Sequence, residues 1–209
     1  MSKKTSRVLA GAALAGAAVI GVTSMGPGVA EAAKLPGFTK TKNLNGGSVT
    51  IRLFDESFRI QRSVANNHFS REVFVSGKVK VTTSGKVEGG SVNAGYIVGC
   101  QLNFGASSEG GVEQEFGADQ PEASAKAGFT LSPGEAKYVP IVNVVDDEDE
   151  EIDAFDFSDA RGGVAYSAER FGVDGCAGYA EAMAKVTVRV ETDGFRGNVT
   201  AYGRPFSIG

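Results

Sequence analysis

Hydrophobic and polar residues alternate with a period of two along much of the chain. The alternation is clearest in five stretches, at residues 49–54, 58–61, 73–82, 186–191 and 199–202. This period is typical of β-strands that have one buried and one exposed face. Turn signals separate the stretches at Gly46-Gly47, Gly89-Gly90, Asp174-Gly175 and Asp193-Gly194. The pattern therefore predicts a mainly β protein.

Two segments are less clear from local pattern. Residues 176–185 (CAGYAEAMAK) have the propensity of a short helix, but strand signals flank them. We therefore predict a strand rich in Gly and Ala. Residues 33–47 are basic and contain Gly and Pro, which predicts an extended lead-in.

The middle of the chain, residues 95–145, predicts one long β-hairpin. In its first arm, residues 98–116, the even positions are mostly apolar or small and the odd positions are polar or glycine. Residues 117–126 (GADQPEASAK) form the predicted turn, and a second arm with weaker alternation runs from about 127 to 145. At about 3.3 Å per residue, such an arm reaches roughly 60 Å, far beyond a usual strand. The predicted hairpin covers about 98–145.

A hairpin of this length needs partners, because alone it exposes two strand edges and an apolar face. Inside a membrane only closed barrels satisfy every backbone group of a β-structure, and one hairpin cannot close a barrel. Several chains would have to share a barrel, with the even positions facing lipid and the odd positions facing water. The alternative is a soluble β-sandwich with one extended hairpin. On the pattern alone, the soluble sandwich is the simpler interpretation.

The N-terminus has the three-part layout of a secretory signal peptide. Lys3, Lys4 and Arg7 precede an uncharged apolar run at residues 8–22, and small residues follow at Ala30-Glu31-Ala32. The run is shorter than the roughly 20 residues of a spanning helix. We expect cleavage after Ala32, leaving residues 33–209 as a single exported domain; an uncleaved anchor is the alternative.

The exported part is acidic. Without Lys3, Lys4, Arg7 and Glu31 it has 18 basic and 24 acidic side chains. This balance argues against binding to nucleic acid or to anionic lipid surfaces.

Cys100 and Cys176 are the only cysteines. An even count in an exported chain predicts a disulfide, and two buried thiols are the alternative. The bond would close a loop of about 76 residues, a constraint of on the order of 4 kcal/mol in the chain-entropy model. It would tie the root of the hairpin to the C-terminal strands.

Acidic residues form two groups. Glu109, Glu113 and Glu115 share the polar face of the first arm, and Asp119 and Glu122 lie in the turn. Repeated around a ring, they would give the negative lumen of a cation-selective pore; a solubilising hairpin tip is the alternative.

The second group is a run of six acids, Asp146, Asp147, Glu148, Asp149, Glu150 and Glu151. Such blocks are usually solvated. Carboxylates suit calcium, but the spacing matches no EF-hand loop, so no metal site is predicted. In a pore, this run would lie near the junction of stem and rim.

Catalysis has little support in the sequence. His68 is the only histidine, and no nucleophile motif or zinc-binding helix motif accompanies it. We therefore predict a protein that is not an enzyme and needs no cofactor.

Five segments, in order, resemble the mycobacterial-type outer-membrane porin family, the MspA family. Residues 70–77 (SREVFVSG) resemble its TREWFHSG segment and residues 95–99 (GYIVG) its GYQIG segment. The other three matching segments are residues 102–104 (LNF), 162–165 (GGVA) and 200–206 (TAYGRPF). The similarity runs from about residue 48 to the end.

The resemblance implies a goblet-shaped ring, with a rim of β-sandwich domains above a transmembrane β-barrel stem that takes one hairpin from each chain. The best-known member is an octamer, and some relatives are thought to combine two homologous subunits. The implied partners are thus further copies of this chain or a homologous subunit, in a mycolate outer membrane. The implied function is passive diffusion of small hydrophilic solutes, and the acidic face predicts a preference for cations.

The sequence departs from the family pattern in three places. The adjacent aspartates of the family's stem tip have no counterpart in residues 113–119 (EQEFGAD). Ser108, Gly110 and Gln114 lie on the nominal lipid face, and the two cysteines lie outside the family pattern. The alternative function is therefore a secreted or envelope-associated β-sandwich that binds a partner without conducting.

Overall fold

The computed structural model describes residues 32–62, 69–87, 89–101, 129–141, 144–145, 151–192 and 195–209. These residues form fourteen strands: β1 (Ala33–Lys34), β2 (Phe38–Leu44), β3 (Gly47–Arg62), β4 (Arg71–Gly85), β5 (Gly90–Cys100), β6 (Phe129–Thr130), β7 (Ala136–Pro140), β8 (Val144–Val145), β9 (Glu151–Ile152), β10 (Ala154–Phe157), β11 (Arg161–Asp174), β12 (Ala180–Thr192), β13 (Phe195–Tyr202) and β14 (Phe206–Ser207). Within these ranges, no helix has the length and apolar character needed to cross a membrane.

The strands build two six-stranded sheets and a separate two-stranded ladder of β8 and β9. Sheet A has the order β1-β3-β4-β11-β6, with β2 also paired to β3. Sheet B has the order β10-β5-β12-β13, with β7 on β5 and β14 on β12. All pairs are antiparallel except β6 with β11. The predicted mainly β fold is confirmed.

The core lies between the two sheets and is built by alternate residues of the long strands. Val49, Ile51 and Val75 of sheet A and Val98 and Val188 of sheet B are all fully buried. Burying one such side chain stabilises a fold by roughly 1.5–3 kcal/mol. The period-two valines and isoleucines of the sequence thus form the inner faces of a β-sandwich.

Contacts between the sheets define the two sides of the sandwich. On one side β2 lies over β13, where the Lys40 ammonium donates a 2.9 Å hydrogen bond to the Thr200 carbonyl. On the other side β10 lies against β11, where Phe157 packs over Gly162; a Cβ on this glycine would lie 2.5 Å from the Phe157 ring. We call these the β2/β13 side and the β10/β11 side.

Most predicted strands are present, with some differences. The strand interpretation of residues 176–185 is confirmed from Ala180, where β12 begins. The predicted lead-in contains a full strand, β2, because residues 38–44 pair along their whole length with β3. Strand β11 was not predicted, because its register shifts between Tyr166 and Glu169 and this bulge interrupts the alternation.

The structure corrects the extent of the long hairpin. Strands β5 and β7 do pair, from Gly95 with Pro140 to Gly99 with Ala136. The predicted second arm is not continuous, however, because β6 joins sheet A and β7 joins sheet B. A turn at Ser132–Glu135 separates them, and it contains Pro133-Gly134, a turn signal that overrides the weak alternation.

The first arm also begins inside the sandwich. Val98 and Cys100, which were predicted to face lipid, are fully buried in the core. They therefore face the core and not lipid, and residues 102–128 lie outside the described residues.

Candidate functional site at the root of the 102–128 segment

Both ends of the 102–128 segment are fastened to one stretch of chain. At the first end, the Gln101 amide donates a 2.8 Å hydrogen bond to the Tyr179 carbonyl. The Gln101 side-chain amide donates another, also 2.8 Å, to the Ala177 carbonyl. At the second end, Phe129 pairs with Val173 in a short parallel ladder. We call this arrangement, residues 100–101, 129–135 and 173–179, the root.

A disulfide crosses the root. Cys100, the last residue of β5, is bonded to Cys176, with the Cα atoms 5.6 Å apart. This separation is ordinary for the bond, and both residues are fully buried. The predicted pairing is confirmed, and it ties the end of β5 to the segment that precedes β12.

The turn after β6 closes the root on its other side. The Cys100 amide donates to the Glu135 carbonyl at 3.0 Å, and the Gly134 amide donates to the Cys100 carbonyl at 2.8 Å. Gly134 has a φ of 82°, which glycine adopts without strain. The Glu135 carboxylate accepts a 2.8 Å hydrogen bond from the Ser132 amide. The chain is therefore held on both sides of Cys100.

Arg71, the first residue of β4, binds two backbone carbonyls of the 176–178 loop. Its guanidinium donates a 2.8 Å hydrogen bond to the Cys176 carbonyl and a second bond to the Gly178 carbonyl. Partial burial lowers the pKa of Arg71 from its ordinary value, because desolvation disfavours the charged guanidinium. Loop carbonyls that would otherwise lack partners are thus satisfied by a fixed side chain.

A second cluster of polar residues lies in the middle of the core. The Tyr96 hydroxyl of sheet B donates a 2.9 Å hydrogen bond to the Glu56 carboxylate of sheet A. The Tyr96 and Tyr166 hydroxyls are 3.0 Å apart and share another hydrogen bond. The Tyr96 ring also contacts Phe171 and Phe206, with centroid separations of 6.0 and 5.9 Å.

Two β-bulges flank the same point of β4 and direct these side chains inward. In β3 the register shifts between Phe54 and Ser57, so that Asp55 and Glu56 together lie opposite one residue of β4, Gly77. Asp55 has a φ of 54°. A second bulge lies in β11 after Tyr166, which pairs with Gly77. Gly77 is required here, because a Cβ on it would lie 2.5 Å from the Tyr166 hydroxyl.

Burial controls the protonation of this cluster. It raises the pKa of Glu56 from 4.5 to about 7, although the hydrogen bond from Tyr96 acts in the opposite direction. Burial also raises the pKa of Tyr96 and of Tyr166, so both phenols stay neutral. The second carboxylate oxygen of Glu56, Oε2, has no hydrogen-bond partner among the described residues.

The buried cluster is closed to solutes. Glu56 and Tyr96 are each 1% exposed, so no substrate can reach them without the sandwich opening. In the part of the chain that the structure describes, no three His, Cys, Asp or Glu side chains are grouped so that they could hold a metal ion. The cluster therefore joins the two sheets rather than forming a reaction site.

Most predicted site residues cannot be compared with the structure. Glu109, Glu113, Glu115, Asp119 and Glu122 lie outside the described residues, as does His68. So do residues 146–150 of the acidic run, while Glu151 is described only as a backbone position that begins β9.

The residues that flank the acidic run are described. Before the run, the Ile141 amide donates a 3.0 Å hydrogen bond to the Ala94 carbonyl. After it, the Asp153 carboxylate accepts a hydrogen bond from Asn93. Both flanking residues therefore lie at the edge of sheet B beside residues 93–94, about 20 Å along β5 from Cys100 at the rise of an extended strand.

Sequence reasoning missed Glu56, Tyr96 and Arg71. One signal was present for Glu56, because the alternation of residues 49–54 breaks off before it resumes at residue 58. Such a break between two stretches of one strand is what a bulge produces.

The fold is a β-sandwich in which the residues that flank positions 102–128 are both fastened at the root. A sequence model of the MspA family matches residues 45–207, and the chain belongs to this family of outer-membrane porins. No curated protein matches the chain. Family membership supports an outer-membrane porin role, oligomeric assembly and a location in the cell envelope. The family is one of porins and not of enzymes.

Proposed function

We propose that this chain is one subunit of an oligomeric porin for passive diffusion of small hydrophilic solutes, with a preference for cations. The root is the observation that supports this most directly. It fastens both ends of one segment, residues 102–128, at the same place on a rigid sandwich. In a family of porins, this is how a chain would contribute a single hairpin to a shared barrel.

The length of the segment suits a membrane-spanning hairpin. With its turn at the middle of the segment, near residue 115 and not at 117–126, the segment has two arms of about 12 residues. At a rise of about 3.3 Å per residue, each arm is roughly 40 Å long. A tilt of about 40° reduces the height to roughly 30 Å, which exceeds the apolar band of about 25 Å in outer-membrane barrels. The stem we propose is therefore shorter than residues 98–145 and begins after Gln101.

Several chains must supply such hairpins, since one cannot close a barrel. The ring consists of copies of this chain, or of this chain and a homologous subunit, in a mycolate outer membrane. Residues 1–32 act as the cleaved signal peptide that exports the subunit.

The preference for cations comes from the acidic side chains of the segment. With the alternation retained, Glu109, Glu113 and Glu115 face the lumen while Leu102 and Phe104 face lipid. Rings of carboxylates between walls of low dielectric constant concentrate cations locally. Asp119 and Glu122 add negative charge in the second arm of this shorter stem.

Planar-bilayer recordings of the purified residues 33–209, alone and with any co-expressed homologue, test this function. Stepwise conductance is expected. The matched control replaces residues 102–128 with a short Gly/Ser linker and leaves the disulfide and both sheets in place. If the control conducts as well as the full chain, the segment is not the stem.

A second candidate is a non-conducting β-sandwich that binds a partner in the envelope or outside the cell. It is favoured by the low apolar content of the nominal lipid face, where Ser108, Gly110 and Gln114 lie. Absence of conductance from an assembled oligomer would support this candidate.

A further inference from the structure

The two sides of the sandwich differ in charge. On the β2/β13 side, residues 33–54 contain four basic and no acidic side chains, and residues 195–209 contain two basic and no acidic ones. On the β10/β11 side, residues 151–160 contain four acidic and no basic side chains. The two sides therefore differ in the sign of their net charge, although Arg161 at the start of β11 is exposed and Arg196 pairs with Glu191 at 2.8 Å.

The β2/β13 side presents its charges at an open strand edge. Lys40 and Lys42 of β2 are exposed, and each lies opposite a buried residue of β3, Ile51 or Val49. Their side chains therefore project along the opening between the sheets, where Lys40 reaches Thr200. Among the described strands, none pairs with the outer edge of β2.

The β10/β11 side presents acids together with an aromatic side chain. Asp156 and Asp159 are exposed, and Asp159 lies in the connection that passes from sheet B to sheet A. Phe155 is 40% exposed and projects from the opposite face of β10 to Asp156, because it pairs with buried Val92 while Asp156 pairs with Ser91. The outer edge of β11 pairs with another described strand only at Val173 and Asp174, so its first twelve residues have no described partner strand on this edge.

Open strand edges are usually covered or protected, because their unpaired amides and carbonyls attract other strands. The order β2-β3-β4-β11 is antiparallel at every step, so β2 and β11 run in opposite directions. If a rotation about an axis parallel to the strands relates one copy to the next, the strand directions are the same in both copies. Such a rotation would therefore bring β11 of one copy antiparallel to β2 of the next.

We propose that the β2/β13 side of one copy docks on the β10/β11 side of a second copy of this chain. Lys40 and Lys42 then lie near Asp156 and Asp159. The two surfaces differ, so the contact is heterologous and can close into a ring. The inference rests on the oligomeric assembly in the proposed function, and it names the surfaces that make the assembly.

Charge reversal tests this interface with the full exported chain in mild detergent. Two variants are made, Lys40→Glu/Lys42→Glu and Asp156→Lys/Asp159→Lys, and the number of subunits is followed by mass photometry. Like charges then face each other in either variant alone. The protein concentration at which half of the assembly dissociates should rise at least about tenfold.

Mixing the two variants in equal amounts should restore assembly. Every contact in an alternating ring then joins opposite charges, Glu against Lys or Lys against Asp. The single substitution Lys42→Glu leaves the Lys40 hydrogen bond to Thr200 intact and should give a smaller shift in the same direction. The matched control for the single substitution, Arg189→Glu, makes the same charge change at an exposed residue of β12, which lies between β5 and β13 in sheet B.

Folding is checked by thermal unfolding with the disulfide intact. The interface is wrong if both reversed variants assemble at wild-type concentrations, or if their mixture stays dissociated while each is folded. Reversed variants that remain assembled and conduct contradict the interface alone. If the wild-type oligomer never conducts but the charge-reversed variants dissociate, the result supports the interface and contradicts the porin function.

Discussion

Tyr96 and Glu56 join the two sheets through a 2.9 Å hydrogen bond in the centre of the core. Tyr96 lies in sheet B, and Glu56 lies in the β3 bulge of sheet A. Glu56 is 1% exposed, and its Oε2 has no partner among the described residues. A buried acid with an unsatisfied oxygen destabilises the fold when it is charged.

Glu56→Gln should therefore raise the free energy of unfolding at pH 8. Burial raises the pKa of Glu56 from 4.5 to about 7. The stabilising contribution of this carboxyl is complete below about pH 4.5 and is lost as the pH rises through about 7. Glutamine stays neutral and still accepts the Tyr96 hydrogen bond. The expected gain at pH 8 is about 1–3 kcal/mol, by denaturant unfolding.

The same comparison at pH 4 should show almost no gain. Glu169→Gln, which removes an exposed carboxylate from β11, serves as the control and should leave the pH dependence unchanged. A Glu56→Gln variant that is equally more stable at both pH values would show that Glu56 does not titrate in this range.

Removing the disulfide should destabilise the sandwich strongly. Cys100 and Cys176 are 76 residues apart, and the chain-entropy model gives about 4 kcal/mol for a loop of this length. The double variant Cys100→Ser/Cys176→Ser, and the wild type under reductant, should lose similar stability in denaturant unfolding. Two free thiols in non-reducing mass spectrometry would contradict the bond.

Gly77→Ala should destabilise the core by about 1–3 kcal/mol, as overpacking generally does. The added Cβ would lie 2.5 Å from the Tyr166 hydroxyl and 2.7 Å from Cζ of its ring. In a Tyr166→Phe background the substitution should cost less, because the nearest atom is absent. Thermal unfolding of the four proteins of this cycle measures the coupling. Strictly additive effects would show that residue 77 does not act on Tyr166.

The triple variant Glu109→Gln/Glu113→Gln/Glu115→Gln should conduct with less preference for cations. The substitutions keep the size of the side chains and remove three charges from each subunit. In a salt gradient the reversal potential should move toward zero, while the oligomer remains assembled. In the wild type the preference should weaken at high salt, since the Debye length falls from about 10 Å at 0.1 M to about 3 Å at 1 M.

Unchanged selectivity in the triple variant would mean that these residues do not line the pore. Asp119 and Glu122 would then be the better candidates. The run at 146–151 would be a weaker one, because its flanks lie beside Asn93 and Ala94 and not at the root.

The alternation of hydrophobic and polar residues predicts most strands correctly, but it does not show where the chain leaves one sheet for the other. The valines of β3, β4 and β12 alternate because one face of each strand is buried, and this signal lies within a few residues. Strand β11 was missed because its bulge after Tyr166 shifts the alternation. The apolar residues between 129 and 145 predict a continuous second arm. Pro133-Gly134 instead turns the chain, so that β6 joins sheet A and β7 joins sheet B.

The sequence by itself determined the β class, the family and the cysteines that pair. These depend on side-chain period, on local segments in order and on residue type, and all three can be seen without a fold. Only the tertiary structure decided that Glu56 meets Tyr96 and that Val98 faces the core. It also decided that residues 33–54 and 195–209 form one basic side. These relations join strands that are distant in the chain, and they are set by how two twisted sheets pack and by where a bulge redirects a side chain.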